Sequence, residues 1–102
     1  MTTGAESGFR LQTATPGTLG VDGVLDFDTA APALQAIQSA LATGQLAWLD
    51  LADVSRSDSA GLACVLAVVA EAARQGRRLQ VVHMPVGMQA LATVCEVEQL
   101  LS

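Results

Sequence analysis

The segment 50–61, DLADVSRSDSAG, holds the side chains of this 102-residue chain that are best suited to chemistry. Asp50, Asp53 and Asp58 supply carboxylates, the oxygen ligands that a hard cation such as Mg²⁺ needs. Clustered carboxylates are also typical of a phospho-aspartate site. However, all five basic residues are arginines, so the chain lacks the lysine that response-regulator receivers place beside the phosphate. We therefore expect neither a metal site nor a receiver site here.

The single histidine, His83, does not complete a catalytic group. It follows an apolar run beside Met84 and Pro85, without an evident nucleophile or paired base, and acid–base catalysis needs such partners. A glycine-rich phosphate loop of the Walker type is also absent from the sequence. The sequence therefore predicts a protein that is not an enzyme, hydrolyses no ATP and uses no cofactor.

Asp58 and Ser59 stand where this acidic, serine-rich segment changes to an apolar helix. Either side chain could accept hydrogen bonds from free amides as the helix N-cap, and this structural role alone explains both residues. The same N-terminus also suits a phosphate on Ser59, because its amides and dipole favour an anion. Gly61, just inside the helix, lowers helix stability and therefore indicates the close approach of another backbone.

The helix after this segment is apolar on both faces. Its periodicity predicts a core-facing stripe with Val65 at the edge, made of Leu62, Leu66, Val69 and Ala73. The opposite face carries small apolar residues where a solvated helix would be charged: Ala60, Cys64, Ala67 and Val68. A domain of this size has little chain left to cover a second apolar face. We therefore predict that a partner protein docks on this face, with Asp58, Ser59 and Gly61 beside it.

The remaining patterns predict the strands that position this helix. Alternating or short apolar runs indicate four strands, at 9–14, 18–25, 45–51 and 77–84. The first two should form a hairpin across the turn at Pro16 and Gly17. The third, which contains Trp48, has the composition of a buried central strand. Residues 53–62 are predicted to be a loop.

Three segments have the longer apolar period of a helix. The first starts near Asp28 or Thr29 as a capping residue, accepts Pro32 in its first turn and ends at Gly44. Its apolar stripe consists of Leu34, Ile37 and Leu41. The second covers 62–73 and is ended by Gly76. The third lies within 85–101, with inward-facing Met88, Leu91 and Cys95.

These elements alternate in the order β-β-α-β-α-β-α. Such alternation predicts an α/β fold, in which a mixed four-stranded sheet is covered by helices. One domain is expected at this length, with a flexible N-terminus at 1–8 and the domain itself at 9–102.

Charge and cysteine content limit the classes of partner. The net charge of −5 is unsuited to nucleic acid, which is bound through a basic surface. Cys64 and Cys95 lie in apolar segments without metal-ligand spacing and are predicted to be buried, reduced thiols. With no signal peptide or membrane-length apolar run in the sequence, we expect a cytoplasmic protein that does not insert into a membrane.

Residues 49–82, LDLADVSRSDSAGLACVLAVVAEAARQGRRLQVV, resemble the central signature of STAS domains. That signature is a strand, the motif Asp-Ser/Thr-x-Gly-Leu, a long helix, a glycine and a further strand, and the resemblance extends over residues 8–101. Within the family, GVLDFDTAAPAL and VSRSDSAGLACVL are most similar to the stand-alone STAS subunits (MlaB-like) of Mla-type phospholipid ABC transporters. The resemblance implies a STAS-like sandwich whose Ser59 segment and following helix dock on the transporter ATPase.

The resemblance is also compatible with a second branch of the family. Ser59 replaces a threonine and Ala60 a glycine that are usual in the transporter branch, and both changes bring the segment nearer to the anti-sigma factor antagonists. In those proteins the residue corresponding to Ser59 is phosphorylated by a partner kinase. The two expected partners are therefore an ABC-transporter ATPase and an anti-sigma factor kinase, and a homodimer of the isolated chain is also open.

Overall fold

The computed structural model describes residues 8–43 and 46–101. Their elements are β1 (Phe9–Gln12), β2 (Thr18–Leu25), α1 (Ala30–Thr43), β3 (Trp48–Ser57), α2 (Ser59–Arg74), β4 (Gln80–Val82), α3 (Val86–Val94) and a final 3-10 helix (Glu98–Leu101). The predicted α/β order is confirmed, with the 3-10 helix added at its end. Gly44, the predicted end of the first helix, lies outside the described residues, as does most of the N-terminus predicted to be flexible.

The four strands form one mixed sheet in the order β1-β2-β3-β4. β1 and β2 pair antiparallel as the predicted hairpin, with Phe9 opposite Gly23. The other neighbours pair in parallel, and Leu49 of β3 lies beside Leu19 of β2 and Val81 of β4. Parallel neighbours need a crossover between them, and α1 and α2 provide the two crossovers.

β3 is longer than predicted, and the expected loop at 53–62 is wrong. The strand continues to Ser57, and Asp58 alone separates it from α2. The register between β2 and β3 shifts twice, between Gly20 and Asp22 and between Gly23 and Val24, each time leaving an extra residue on β3. Such bulges interrupt the alternation of side chains between the two faces, which is why the second half of β3 does not resemble a strand in sequence.

The core lies between one face of the sheet and the helices. Its largest fully buried side chains come from every layer: Leu19, Leu25, Ile37, Leu49, Leu51, Met88, Val21, Val65 and Val68. In α1, Ile37 and Leu41 are buried as predicted, while Leu34 is half-buried. Trp48, expected in a buried strand, is 43% exposed, because it points away from the sheet face that carries its buried neighbour Leu49.

The last helix is shorter than predicted, and one cysteine that was predicted to face inward is exposed. α3 ends at Val94, where Cys95 is the C-cap and Glu96 adopts a positive φ of 57°. Met88 is buried as predicted, but Cys95 is exposed, because the helix stops before it. β4 covers Gln80–Val82 only. None of the helices in the described ranges has the length and hydropathy needed to cross a membrane.

Candidate functional site

Asp58 joins the two segments on which the candidate site is built. Its Oδ1 accepts hydrogen bonds from the backbone amides of Ala60 (2.9 Å) and Gly61 (3.1 Å), which makes it the N-cap of α2. Its Oδ2 accepts a third hydrogen bond, of 3.2 Å, from the amide of Phe27. Of the two predicted capping residues, Asp58 takes this role. The carboxylate is therefore committed to holding α2 against the turn between β2 and α1.

Gly61 allows α2 to start directly against β2. A Cβ atom at this position would lie 2.1 Å from the carbonyl oxygen of Leu25, far inside van der Waals contact. The predicted close approach of a backbone is confirmed, but that backbone belongs to the chain itself. Gly61 is buried inside the chain's own fold.

The turn between β2 and α1 presents an aromatic side chain to solvent. Asp26 Oδ1 accepts hydrogen bonds from the amides of Asp28 (3.0 Å) and Thr29 (3.2 Å). The Thr29 hydroxyl accepts from the Asp26 amide and donates to the Val24 carbonyl, both at 2.9 Å. Thr29 therefore braces the turn through its side chain instead of capping helix amides as expected. Phe27, at the tip of this turn, is 82% exposed.

The buried face of α2 is rotated from the predicted one by about one residue step, roughly 100°. Of the predicted stripe only Leu62 is fully inside, while Leu66 and Val69 are half-buried and Ala73 is exposed. The buried residues of the helix are Gly61, Leu62, Cys64, Val65, Val68 and Ala72. Val68 and Cys64 were expected on the outer face, but both are buried, and Val68 is fully enclosed. Periodicity alone could not show which face of α2 is buried, because the helix is apolar all round. The contact of Gly61 with β2 fixes the buried face.

An apolar groove nevertheless runs along the outer side of α2. It has a volume of about 450 Å³ and lies between the first turns of α1 and α2, lined by Phe27, Ala30, Ala31, Leu34, Ala60, Ala63, Cys64 and Ala67. We call it the α1/α2 groove. Ala60, Cys64 and Ala67 were predicted for a docking face. Ser59, predicted beside them, is exposed next to Ala60.

Sequence reasoning missed Phe27, Ala63 and the contribution of α1 to the groove. Two signals could have indicated them. Phe27 is an isolated aromatic residue between two aspartates just before a helix, and α1 begins with the run Ala-Ala-Pro-Ala. Neither signal is specific until the fold brings the start of α1 beside the start of α2.

The three aspartates do not form a cation site. Within residues 8–43 and 46–101, no three His, Cys, Asp or Glu side chains are arranged to hold a metal ion. Asp50 Oδ1 instead accepts a hydrogen bond from the Ala52 amide (2.9 Å) and lies 3.0 Å from Nδ1 of His83. His83 thus has a carboxylate partner that the sequence did not reveal. The amide of Ala52, followed by His83, lowers the pKa of Asp50 despite its partial burial.

The two cysteines lie in different environments. Cys64 is buried at the bottom of the groove, and desolvation raises the pKa of its thiol to about 11. Cys95 is exposed. The prediction of a buried thiol is therefore confirmed for Cys64 and wrong for Cys95.

Solved structures with the same fold include an anti-sigma factor antagonist. SpoIIAA in its unphosphorylated form superposes with a TM-score of 0.68 at 19% identity, over 89% of this chain and 83% of SpoIIAA. The phosphorylated form of the Bacillus cell fate determinant SpoIIAA gives 0.65 at 20% identity, over 89% and 86% of the two chains. The crystal structure of Mglu matches 84% of this chain with 22% of its own length, at 24% identity and a TM-score of 0.58.

The sequence comparison assigns the family. Among curated proteins, no sequence matches this chain. A family model described as Mlab, STAS domain, matches residues 10–102. The mixed sheet, the Asp58 cap and the buried Gly61 fit the STAS signature read from the sequence. This chain belongs to the MlaB-type STAS domain family.

Proposed function

We propose that this chain is a non-enzymatic regulatory subunit that binds, through its α1/α2 groove, the cytoplasmic ATPase of an Mla-type phospholipid ABC transporter and biases the ATPase towards its active conformation. In this role it would lie in the cytoplasm, at the inner membrane through its partner alone. The proposal rests on Phe27, whose side chain is 82% exposed at the edge of a groove that is lined only by apolar residues. The match to an MlaB-type family model favours this partner.

The composition of the groove suits a protein partner. Five of its eight lining residues are alanines, so side chains from a partner can approach both helix backbones closely. Phe27 stands at the edge as a large apolar anchor, and buried aromatic anchors commonly dominate binding energy. The Asp58 hydrogen bond to the Phe27 amide restrains the turn that carries the anchor, which lowers the entropy lost on docking.

The docking surface that we propose is narrower than the one predicted from sequence. It keeps Ser59, Ala60, Ala67 and the edge of Cys64, and adds Phe27 and Ala63. Asp58 contributes by positioning Phe27 and α2, whereas Gly61 and Val68 support the surface from below.

A matched pair of substitutions in α2 tests the proposal. Ala63 lines the groove, whereas Ala73 lies outside it, and both side chains are exposed. We expect Ala63→Glu to weaken binding to the purified ATPase by at least about tenfold, since a carboxylate would be desolvated in an apolar contact. Ala73→Glu should bind like the wild type, and Phe27→Ala should weaken binding as Ala63→Glu does. Equal binding by Ala63→Glu and Ala73→Glu would refute docking through the groove.

A second candidate function is that of an anti-sigma factor antagonist switched by phosphorylation of Ser59. Two observations favour it: Ser59 is exposed at the start of α2, and the fold is that of SpoIIAA, an anti-sigma factor antagonist solved with and without phosphorylation. A phosphate would add up to about two negative charges beside the groove and oppose apolar docking there.

The intact mass of the chain after incubation with the candidate anti-sigma factor kinase separates the two functions. The second function requires the mass of one phosphate, abolished in Ser59→Ala. An unchanged mass, together with binding to the transporter ATPase, would exclude the second function and support the first.

A further inference from the structure

The outward face of α3 is a second apolar surface, separate from the α1/α2 groove. Val86 is 83% exposed and Val94 78% exposed, and Ala90, midway between them, is also exposed. Residues four apart lie on one face of a helix. Met88 and Ala92 are buried on the opposite side, so these three residues occupy the centre of the solvent side. We call them the α3 stripe.

The stripe lies on a helix that, like α1, carries no charged residue. The nine residues VGMQALATV contain no Asp, Glu, Lys or Arg, although the whole chain has fifteen such residues by composition, ten acidic and five basic. A solvated helix face normally carries charged side chains. In a chain with a net charge of −5, an uncharged helix face allows two copies to meet with little charge repulsion.

The stripe is symmetric about Ala90. Val86 precedes it by four residues and Val94 follows it by four. If two copies pack antiparallel around a two-fold axis at Ala90, each Val86 faces the Val94 of the other copy, and the two small alanines allow the backbones to approach. A two-fold interface requires this kind of self-complementary surface.

Charge at the helix ends favours the antiparallel arrangement. The N-terminus of α3 begins after Pro85 and has no side-chain cap, so its first amides and partial positive charge can still attract an anion. Glu96 follows the C-terminus and is exposed. Antiparallel packing directs Glu96 of one copy towards the uncapped N-terminus of the other, whereas parallel packing would bring like ends together.

We propose that two copies of this chain associate through the α3 stripe as an antiparallel, two-fold symmetric pair. The pair should be weak and concentration-dependent, because one nine-residue helix covers much less than the roughly 1,200 Å² of total area that stable interfaces bury. This inference uses a different surface from the α1/α2 groove and does not depend on the proposed function.

Sedimentation velocity over a range of concentrations tests the pair with matched variants. Val94→Arg places a cation at the C-terminus of a helix, where the helix dipole tolerates it, and the exposed position keeps the fold intact. We expect this variant to weaken self-association at least about tenfold, since the arginine must be desolvated against the partner. Phe27→Arg changes an equally exposed residue of the groove and should associate like the wild type.

Disulfide trapping tests the symmetry. In a Cys95→Ser background, Ala90→Cys should form a covalent dimer under mild oxidation faster than Gln89→Cys, whose exposed side chain points about 100° away. A wild type that stays monomeric throughout, or a Phe27→Arg variant that loses association while Val94→Arg retains it, would overturn the proposal. So would equal trapping at positions 89 and 90.

Discussion

The backbone amide of Phe27 donates a hydrogen bond to the Asp58 carboxylate, 31 positions further along the chain. The other oxygen of the same carboxylate caps α2 through the amides of Ala60 and Gly61. One side chain thus fixes both walls of the α1/α2 groove. The geometry of the candidate site therefore depends on a residue that is not among the groove's lining residues.

Replacing Asp58 should destabilise the fold more than replacing its exposed neighbour. We expect Asp58→Ala to lower the free energy of unfolding by about 1–2 kcal/mol, because the N-cap is lost and the Phe27 amide loses its acceptor. Ser59→Ala should change it by less than about 0.5 kcal/mol, as is usual for exposed sites. Urea unfolding of both variants measures the difference. A larger loss for Ser59→Ala would show that the serine, rather than the aspartate, is the effective cap.

Two glycine-to-alanine substitutions in helices should change the free energy of unfolding in opposite directions. Gly61→Ala places a methyl group 2.1 Å from the Leu25 carbonyl oxygen, so α2 must shift away from β2, at a cost of about 1–3 kcal/mol. Gly87→Ala meets nothing within 4 Å in α3 and should stabilise the protein by about 0.5–1 kcal/mol. Thermal or urea unfolding compares them. Equal effects would contradict the close approach of α2 to β2.

The two thiols should differ strongly in reactivity. Cys95 is exposed, whereas Cys64 is buried with a pKa raised to about 11, so little of the Cys64 thiol is ionised at neutral pH. Brief treatment of the native protein with iodoacetamide should add one label, at Cys95, and treatment in denaturant should add two. Peptide mass spectrometry identifies the site. Rapid native labelling at Cys64 would mean that the bottom of the groove opens to solvent.

Asp50 should contribute to stability in a pH-dependent way. The Ala52 amide, followed by His83, holds the pKa of Asp50 below its ordinary value of 3.8. Its ionised form therefore stabilises the fold above that pH, and the contribution is lost as pH falls through the lowered pKa. Solvent screening keeps the contribution below about 1 kcal/mol.

Urea unfolding of the wild type and Asp50→Asn at several pH values tests this contribution. The wild type should be the more stable at neutral pH, and the difference should shrink below pH 3.8. In His83→Ala the pKa of Asp50, followed by NMR, should stay below its ordinary value, because the Ala52 amide is the larger cause. A difference in stability that grows on acidification would contradict the assignment.

Much of the fold could be predicted because local patterns and global packing agree. The change from alternating to helical periodicity after Leu25 located β1, β2 and α1, and Gly76 ended α2 as expected. The second half of β3 could not be predicted, because two register shifts break its alternation. Cys95 lies one residue beyond α3, a boundary that an apolar sequence does not mark.

The candidate site was predictable in its position but not in its orientation. Residue type predicted an N-cap at Asp58 or Ser59 and a close backbone contact at Gly61. The structure shows that Asp58 is the cap and that the Leu25 backbone makes the contact. The rotation of α2, which buries Val68 and exposes Ala63, depends on where α2 meets the Leu25 carbonyl, a contact between residues distant in sequence. The hydrogen bond from the Phe27 amide to Asp58 holds Phe27 beside the start of α2, so the aromatic edge of the groove appears only in three dimensions.

The short connection between β3 and α2 limits how Ser59 can act. A single residue, Asp58, separates the strand from the helix, and its carboxylate is held at both oxygens. This junction has no spare length that could swing as a hinge. A covalent group attached to Ser59 would therefore act on a bound partner directly, through its volume and charge. Switching would come from the changed contact with the partner and not from a second conformation of this domain.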